Sequence, residues 1–546
     1  MAEANKIDSN NTGLRIAEES SLATLPGSPV WYDLEPNSYN DFGGQLTLVA
    51  RNPISNTRQR KKGVITDLDA SGGFNQDLTF TNLSFLMPGI FLASKSTKTF
   101  KVSDGTGSGG PSPIESIGSS DDIVFDVDMS ALIYAGDLIW LEGFANSGNN
   151  GLKSVASVST DTVTVNETLT AEATAPSGAS CLVVGFEHGS GDAAIAKSAN
   201  QLPTLTDSTK NLTQLGLVPG EFIFVGGDDT GASGDAFNAA HNNGWCRVQA
   251  VTANAITFDK TSGGADGETE MVTEAGGSKT IRLFFGNRLK NVGSTDSLFD
   301  RKTYTLERKL DEANPTSNPG EIQSEALQGA MANEFALNVT QADKVTCDWT
   351  FIATANVQRD GSSGSEPLSD SGSVQTIEEA TAYNTSSDIQ IKMAEVRPTQ
   401  GGSAELAAPI PLFAYVTEMT LNVNNNGQPN KAVSVLGAFD VTAGTFEVSG
   451  SITAYFADIA SVVAVRNNTD VTLDMKMVKD FGTGTLSRKA GIVIDVPLIA
   501  LGDGRLSVEQ DEAVTLPLTT DAAEYTPFGH TLMFQEFTYL PDAADV

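Results

Sequence analysis

The chain has 546 residues, 40% hydrophobic and 19% charged, with 34 Lys+Arg against 68 Asp+Glu for a formal net charge of −34. That length allows roughly three or four domains of about 100–200 residues. The 52 Gly against 9 Tyr and 4 Trp describe a turn-rich β protein and exclude a coiled coil or a disordered chain. The acidity argues against ordinary nucleic-acid binding, which sets Lys and Arg on the phosphates. It suits solubility, or a surface that DNA slides past without adhering.

The N-terminal residues MAEANKIDSNNTG contain no apolar core of a signal peptide, and no apolar run approaches membrane-spanning length. A soluble protein made in a cytoplasm is expected. Cys181, Cys246 and Cys347 are too few and scattered for a disulfide framework, so a reducing compartment is expected.

Residues 44–74 open the ordered pattern: a strand, a polar hairpin, a second strand, a turn and a third strand. Within that hairpin Arg51, Arg58, Arg60, Lys61 and Lys62 gather five basic side chains in an acidic chain. The plain reading is a solvated hairpin tip. The functional reading is that Arg58, Arg60, Lys61 and Lys62 dock on acidic surface of a neighbouring subunit or ring, and binding DNA is the remaining alternative. A short helix after Asn82, with Leu83, Leu86 and Met87, is expected to end or kink at Pro88.

The Gly/Ser/Pro stretch 104–113 reads as a linker into two similar modules. Gly136 to Leu141 (GDLIWL) matches Gly220 to Val225 (GEFIFV), both alternating like half-buried strands. Asn149 to Val155 then aligns with Asn242 to Val248, the second copy carrying nine extra residues between. Each module reads as strand, tight Asn-Gly hairpin, strand, short turn, strand. In the extra loop Asp228, Asp229 and Asp235 are calcium candidates, but they lack the spacing of an EF-hand. His188 with Cys181, and His241 with Cys246, do not make the four-ligand set that zinc wants. No nucleophile elbow, phosphate loop or zinc-protease helix is present. Neither a cofactor nor a metal nor enzymatic activity is expected.

Further strands follow at 281–285, 302–307, 334–339 and 344–351, and the polar stretch ending at Ser373 reads as a linker. Residues 417–446 then repeat 44–74, laying Thr420 on Thr47 and Phe446 on Phe74. Asp458 is placed to cap a helix through Ile459, Val462, Val463 and Arg466, and strands at 491–496, 513–518 and 531–534 close the chain.

Gly13 to Ser20 (GLRIAEES), Trp31 to Pro36 (WYDLEP), Ala326 to Phe335 (ALQGAMANEF), Met419 to Asn426 (MTLNVNNN) and Leu436 to Asp440 (LGAFD) follow one another in the chain. So do Gly444 to Gly450 (GTFEVSG) and Ala454 to Asp458 (AYFAD). In these segments the chain resembles the tail tube (major tail) proteins of long-tailed bacteriophages, over roughly residues 1–98 and 286–546. The resemblance implies a mainly β fold with short helices: two tube-type β-sandwich domains plus two small inserted β modules. The expected division is 1–99 with 286–360, modules 100–190 and 191–285, a connecting segment 361–400, and a second tube domain 401–546. It further implies self-association into stacked rings, three chains making a pseudo-sixfold ring, around a lumen through which DNA passes without tight binding. Tape-measure, tail-tip and tail-terminator proteins would be partners, a membrane would not, and the location would be the virion tail. A β-modular adhesin and a capsid decoration protein remain open alternatives at this point.

Overall fold

The computed structural model describes residues 7, 9–54, 56, 59–107, 112–198, 201–261, 271–312, 320–376, 382–395, 412, 415–481 and 488–544. Among these, seventeen strands join one sheet built from residues before 78 and after 286, and fourteen strands between 100 and 284 form another. The fold is mainly β with two short α-helices, as the turn-rich composition requires.

The seventeen-stranded sheet is built twice over. Pro36–Arg51 pairs with Lys61–Asp77, which pairs with Thr346–Ala353, which pairs with Ile322–Thr340. Val416–Asn424, Glu447–Tyr455, Thr515–Ala522 and Lys489–Asp503 follow the same sequence of pairings. The irregularities coincide too. A bulge where Pro36 and Ser38 face Gln76 and Asn75 returns where Val416 and Glu418 face Ala454 and Thr453. A second, where Tyr304 and Leu306 face Ala330 and Leu327, returns where Val471 and Leu473 face Ile499 and Val496. Bulges pin register, so Tyr39 corresponds to Met419, Phe74 to Ile452 and Ala330 to Ile499.

This corrects the sequence alignment, which set Thr47 on Thr420; the structure sets Asn40 there. Alternating strands and Gly/Asn turns match one another at many shifts, and only the bulges discriminate. The core lies between these strands and the layer Tyr304–Glu312, Val471–Asp480 and Lys489–Asp503, with Phe74, Trp349, Phe335, Leu421 and Ile452 on one side and Leu306, Met475 and Ile494 on the other.

The first helix, Phe80–Phe91, starts at Thr79, whose hydroxyl accepts from Asn82 N while Asn82 Oδ1 accepts from Thr79 N. It runs through Pro88, against expectation, and closes at Leu92, whose N–H bonds Pro88 O at φ 49°. Burial of Leu83, Leu86, Met87 and Ile90 outweighs the one backbone bond proline removes. The second helix, Ala460–Arg466, has Ile459 rather than Asp458 at its cap.

The two stretches aligned within 136–258 share a hydrogen-bond set. Asn150 Oδ1 accepts from Phe144 N and its Nδ2 donates to Phe144 O; Asn243 does the same with Phe237. Glu172 accepts from Ala145 N, Asn146 N and Asn149 Nδ2, and Glu274 from Asn238 N, Ala239 N and Asn242 Nδ2. These asparagines therefore clasp a wide loop containing a 3₁₀ turn (Ser147–Asn149, Ala240–Asn242), and no tight two-residue hairpin forms. Gly151 (φ 97°) and Gly244 (φ 112°) take the left-handed backbone that ends each loop.

Strands Asp137–Glu142 and Phe222–Val225 are buried on both faces, not one. One face, with Ile139, Leu141, Ile223 and Val225, fills the core of the 100–284 sheet. The other, with Leu138, Trp140, Phe222, Phe224 and Trp245, packs on Val478, Val493, Phe537 and Leu540. Trp245 meets Phe537 edge-on at 5.1 Å and Trp140 stacks on Tyr539 at 5.0 Å. Trp245→Ala is expected to cost about 3–5 kcal/mol, read as a lowered denaturation midpoint; an unchanged midpoint would show that this packing contributes nothing.

Candidate assembly surfaces

The two strand sets are joined by an antiparallel seam. Glu334–Thr340 pairs residue by residue with Glu418–Asn424, so Phe335 faces Val423, Leu337 faces Leu421 and Val339 faces Met419. All six are buried, while Asn338 and Thr420 stand on the opposite face. Polar contacts lock the seam: Asn424 Nδ2 donates to Glu334 Oε1 at 3.0 Å, and Asn425 Nδ2 to Ile90 O at 2.9 Å and Ala332 O at 3.0 Å. Gly427 N donates to Asn333 Oδ1 at 2.6 Å, and a Cβ at Gly427 would lie 2.7 Å from that oxygen.

Carrying the correspondence outward shows two edges that lack this cover. Pairing of Asn338 with Thr346 returns as the bridge of Ser507 with Thr515, so Leu337 corresponds to Leu506 and Val339 to Val508. Leu337 and Val339 are 0% and 6% exposed, whereas Leu506 and Val508 are 39% and 72% exposed. At the other end, Pro36–Arg51 corresponds to Val416–Asn424 yet pairs only with Lys61–Asp77 among the described residues. Its apolar Leu46 and Leu48 stand exposed, as do Ile65 opposite Leu48 and, at the cap of the second helix and within it, Ile459 and Val463.

The face of these strands turned from the core is chiefly hydroxyl and amide. Asn40, Asn75, Asn338, Thr420, Asn422, Ser449, Ser451 and Thr519 occupy it, with Asp77, Glu334, Asp348, Glu418, Glu447 and Asp521 among its carboxylates. Asp348 is held by Asn75 Nδ2 at 2.8 Å and Asn338 Nδ2 at 2.7 Å.

The hairpin of Pro36–Arg51 and Lys61–Asp77 extends beyond the last rung with Thr346–Ala353, at Ala70. Arg51, Arg60, Lys61 and Lys62 are exposed on it, and among the described residues no carboxylate lies within ion-pair distance of them. Arg51 and Lys61 sit directly opposite each other, an unfavourable like-charge pair. Arg58 lies outside the described residues.

The acidic loop candidates are engaged within the fold. Asp228 Oδ1 accepts from Ala543 N, Asp229 Oδ1 from Gly231 N and Asp235 Oδ1 from Asp229 N, while Asp235 Oδ2 pairs with Arg282 at 3.0 Å. His188 Nδ1 meets Asp207 at 2.6 Å, both buried. Cys181, Cys246 and Cys347 are buried and joined in no disulfide, and burial pushes the Cys181 thiol up to about 12. Among the described residues no three His, Cys, Asp or Glu side chains gather as for a metal ion.

A buried ionic lattice between the 100–284 sheet and the second strand set escaped the sequence reading. Arg247 spans Asp259 at 2.9 Å and Asp495 at 3.2 Å, and Asp474 pairs with both Lys260 and Lys476. Burial works against charge on Asp474, but Lys260 and Lys476 hold its carboxyl below the usual carboxylate range. Burial pushes Asp495 up to about 6 in spite of Arg247. The corresponding buried acid of the first set, Glu307, accepts instead from Leu368 N, Ser369 N and Ser324 Oγ. The polar stretch read as a linker thus packs here, with Ser373–Thr376 pairing with Val30–Leu34. A lone charge in an apolar run, such as Asp495 in GIVIDVPLIA, was the available signal.

An uncovered strand edge is a template on which another chain can pair, and the sheet carries one such edge at each of its two ends among the described residues. The model of the family described as phage tail tube protein matches residues 9–522, and the chain belongs to that family. It is a structural subunit of a phage tail, and the tail is part of the virion. No curated protein matches the chain. No helix among the described residues is long and apolar enough to cross a membrane.

His530 lies in the contact between the 100–284 sheet and the second strand set, its ring 2.6 Å from where a Cβ at Gly220 would stand. Burial lowers its pKa to about 4 from 6.5. Between those values the unfolded chain binds the extra proton, so the stabilising effect is complete above pH 6.5 and is lost as pH falls toward 4. The loss is about 3 kcal/mol. Asp495, pushed up to about 6, and Asp137, pushed up to about 7 by burial, slope the opposite way. The His530 share is therefore read as a difference: the stability of the wild type relative to His530→Gln is expected to fall by about 3 kcal/mol between pH 7 and 4, and a pH-independent difference would contradict the assignment.

Proposed function

We infer that three chains close into a ring, each contributing two tube domains, 1–99 with 286–360 and 401–546, to a pseudo-sixfold wall. Residues 361–400 connect the two, and modules 100–190 and 191–285 lie outside the wall. The observation that carries this reading is the pairing of buried Leu337 and Val339 with exposed Leu506 and Val508 at corresponding positions. The internal seam is one joint of the ring. The open Asp503–Glu509 edge of one chain joins Ser38–Gln45 of the next in the same way, and closure leaves no free edge.

The hydroxyl-rich face then lines the lumen, and its carboxylates, of which only Asp77 has a cation, Lys344, within ion-pair distance among the described residues, let DNA pass without being held. Screening at about 8 Å in physiological salt confines that repulsion to the wall. The outer position of the modules has support in the alternation of Lys489–Asp503: Ile492 and Ile494 enter the core while Val493 meets the modules from the other side. Stacked rings would meet tape-measure, tail-tip and tail-terminator proteins at their ends. Arg58, Arg60, Lys61 and Lys62 contact a neighbouring subunit.

Leu506→Asp with Val508→Asp is expected to leave single chains of 57.3 kDa under conditions where the wild type forms particles of three times that mass. Mass photometry and negative-stain microscopy read both. A double variant that still forms rings would overturn the seam as the joint.

A further inference from the structure

The contact between the 100–284 sheet and the second strand set encloses an amine against a carboxyl. Lys260, on Ala255–Thr261 of the inserted sheet, reaches Asp474 Oδ1, and Lys476 donates to Oδ2 of the same carboxyl. Among the described residues, Lys260 Nζ and Asp474 Oδ1 have no other hydrogen-bond partner. A second acid, Asp495, stands directly opposite Asp474 in the pairing of Val471–Asp480 with Lys489–Asp503. Opposed residues of an antiparallel pair point to the same face, with Cβ atoms about 4.5–5.5 Å apart. Lys260, Asp474, Lys476 and Asp495 are 4%, 0%, 4% and 1% exposed, so bulk water is kept from all of them.

An ion pair at a surface does not condense, because its amine is protonated, its carboxylate resists attack and water surrounds both. Burial changes each condition here. It disfavours charge on either group, and it holds the Lys260 amine below the usual lysine range even with Asp474 beside it. Passing one proton from the Lys260 ammonium to the Asp474 carboxylate leaves a neutral amine facing a neutral acid, with no change in total charge. A desolvated, neutral lysine is a nucleophile. Lys476, donating to Oδ2, stabilises the negative charge that gathers on that oxygen when Cγ is attacked. Burial pushes Asp495 up to about 6, which suits it to exchange a proton near neutral pH, and Arg247 at 3.2 Å fixes its position. Holding the reacting groups together in this way is worth an effective molarity on the order of 10⁵ M or more.

We propose that Lys260 and Asp474 condense to an intramolecular isopeptide bond, which joins the inserted sheet covalently to the second strand set. Lys260 Nζ attacks Asp474 Cγ, the new N–C bond forms and the Cγ–Oδ1 bond breaks. Of the two protons the nitrogen gives up, the first passes directly to Asp474 and the second through Asp495. Both leave with Oδ1, so ammonium plus carboxylate become amide plus one water. Lys260 is the partner because it approaches from the facing sheet. Lys476 lies two residues along the strand of Asp474 itself, and its ammonium stands over the Phe222 ring at 5.2 Å, a contact that favours a cation. Every group belongs to one chain, and the inference does not depend on ring closure.

The intact mass of the full chain under denaturing conditions tests this, with tryptic peptides to locate the bond. The wild type is expected to be lighter than its sequence by one water, with residues 248–279, uncut after Lys260, joined to residues 467–476. Lys260→Arg, which keeps the charge but offers no comparable nucleophile, is expected to have its full sequence mass and to release 467–476 as a free peptide. Asp495→Asn, which relays no proton, is expected to leave most chains at full mass while the far-ultraviolet circular dichroism spectrum is unchanged. A wild type of full mass that yields free 248–260 and 467–476 would overturn the proposal, as would a linkage through Lys476. Asp495→Asn linked as completely as the wild type would overturn the relay.

Discussion

A strand at the margin of a sheet leaves a row of backbone N–H and C=O groups that must be paired, covered or kept in water. In this chain one margin of the repeated unit, Glu334–Thr340, is satisfied by the chain's own second half, and its counterpart at Asp503–Glu509 is not. That asymmetry organises the rest of the structure. It accounts for leucine and valine at corresponding positions that differ so much in exposure, and for the exposure of Leu46 and Leu48 at one edge of the sheet and of Leu506 and Val508 at the other. In the proposed ring the built-in seam is the template for the seam between chains, which reduces the number of separate pieces the ring needs.

The 100–284 sheet interrupts the first strand set but rests on the second. Its aromatic face and the Arg247, Lys260, Asp474 and Asp495 lattice tie the two parts of the sequence together across the molecule. Buried ion pairs add little net stability because desolvation offsets much of the attraction. Removing one partner is costly, and so the lattice dictates which surface the inserted sheet meets. The first set covers Glu307, which corresponds to Asp474, with backbone N–H groups from residues 368 and 369, so the 100–284 sheet meets the second set and not the first at this position.

Much of this was readable in the amino-acid sequence, and the failures have physical causes. The duplicated stretches in 136–258 and the recurrence of the opening strands near 417 are visible because Asn, Gly and apolar positions repeat. The register of the larger repeat is not, since bulges leave no mark in a two-residue alternation. Pro88 was given the weight it has in an isolated helix, and burial overrode it. Arg60, Lys61 and Lys62 were legible as an unusual basic cluster, and the structure adds their exposure and their place on a projecting hairpin. The open edge at Leu506 and Val508 was missed altogether. Nothing in that segment distinguishes it from an ordinary polar turn until it is laid on Leu337 and Val339.

In the proposed ring the joint between chains copies the joint within one, and its register can be read chemically. The internal pair Asn338 and Thr420 maps onto Ser507 of one chain and Asn40 of the next. Directly opposed residues in an antiparallel pair stand about 4.5–5.5 Å apart at Cα, within disulfide range. The three native cysteines are buried and leave the readout clear. Under mild oxidation Ser507→Cys with Asn40→Cys should give covalent ladders ending at three chains, and pairing Ser507→Cys with Gln45→Cys should not. Absence of cross-links in assembled rings of the first variant, or equal cross-linking of both, would contradict the account.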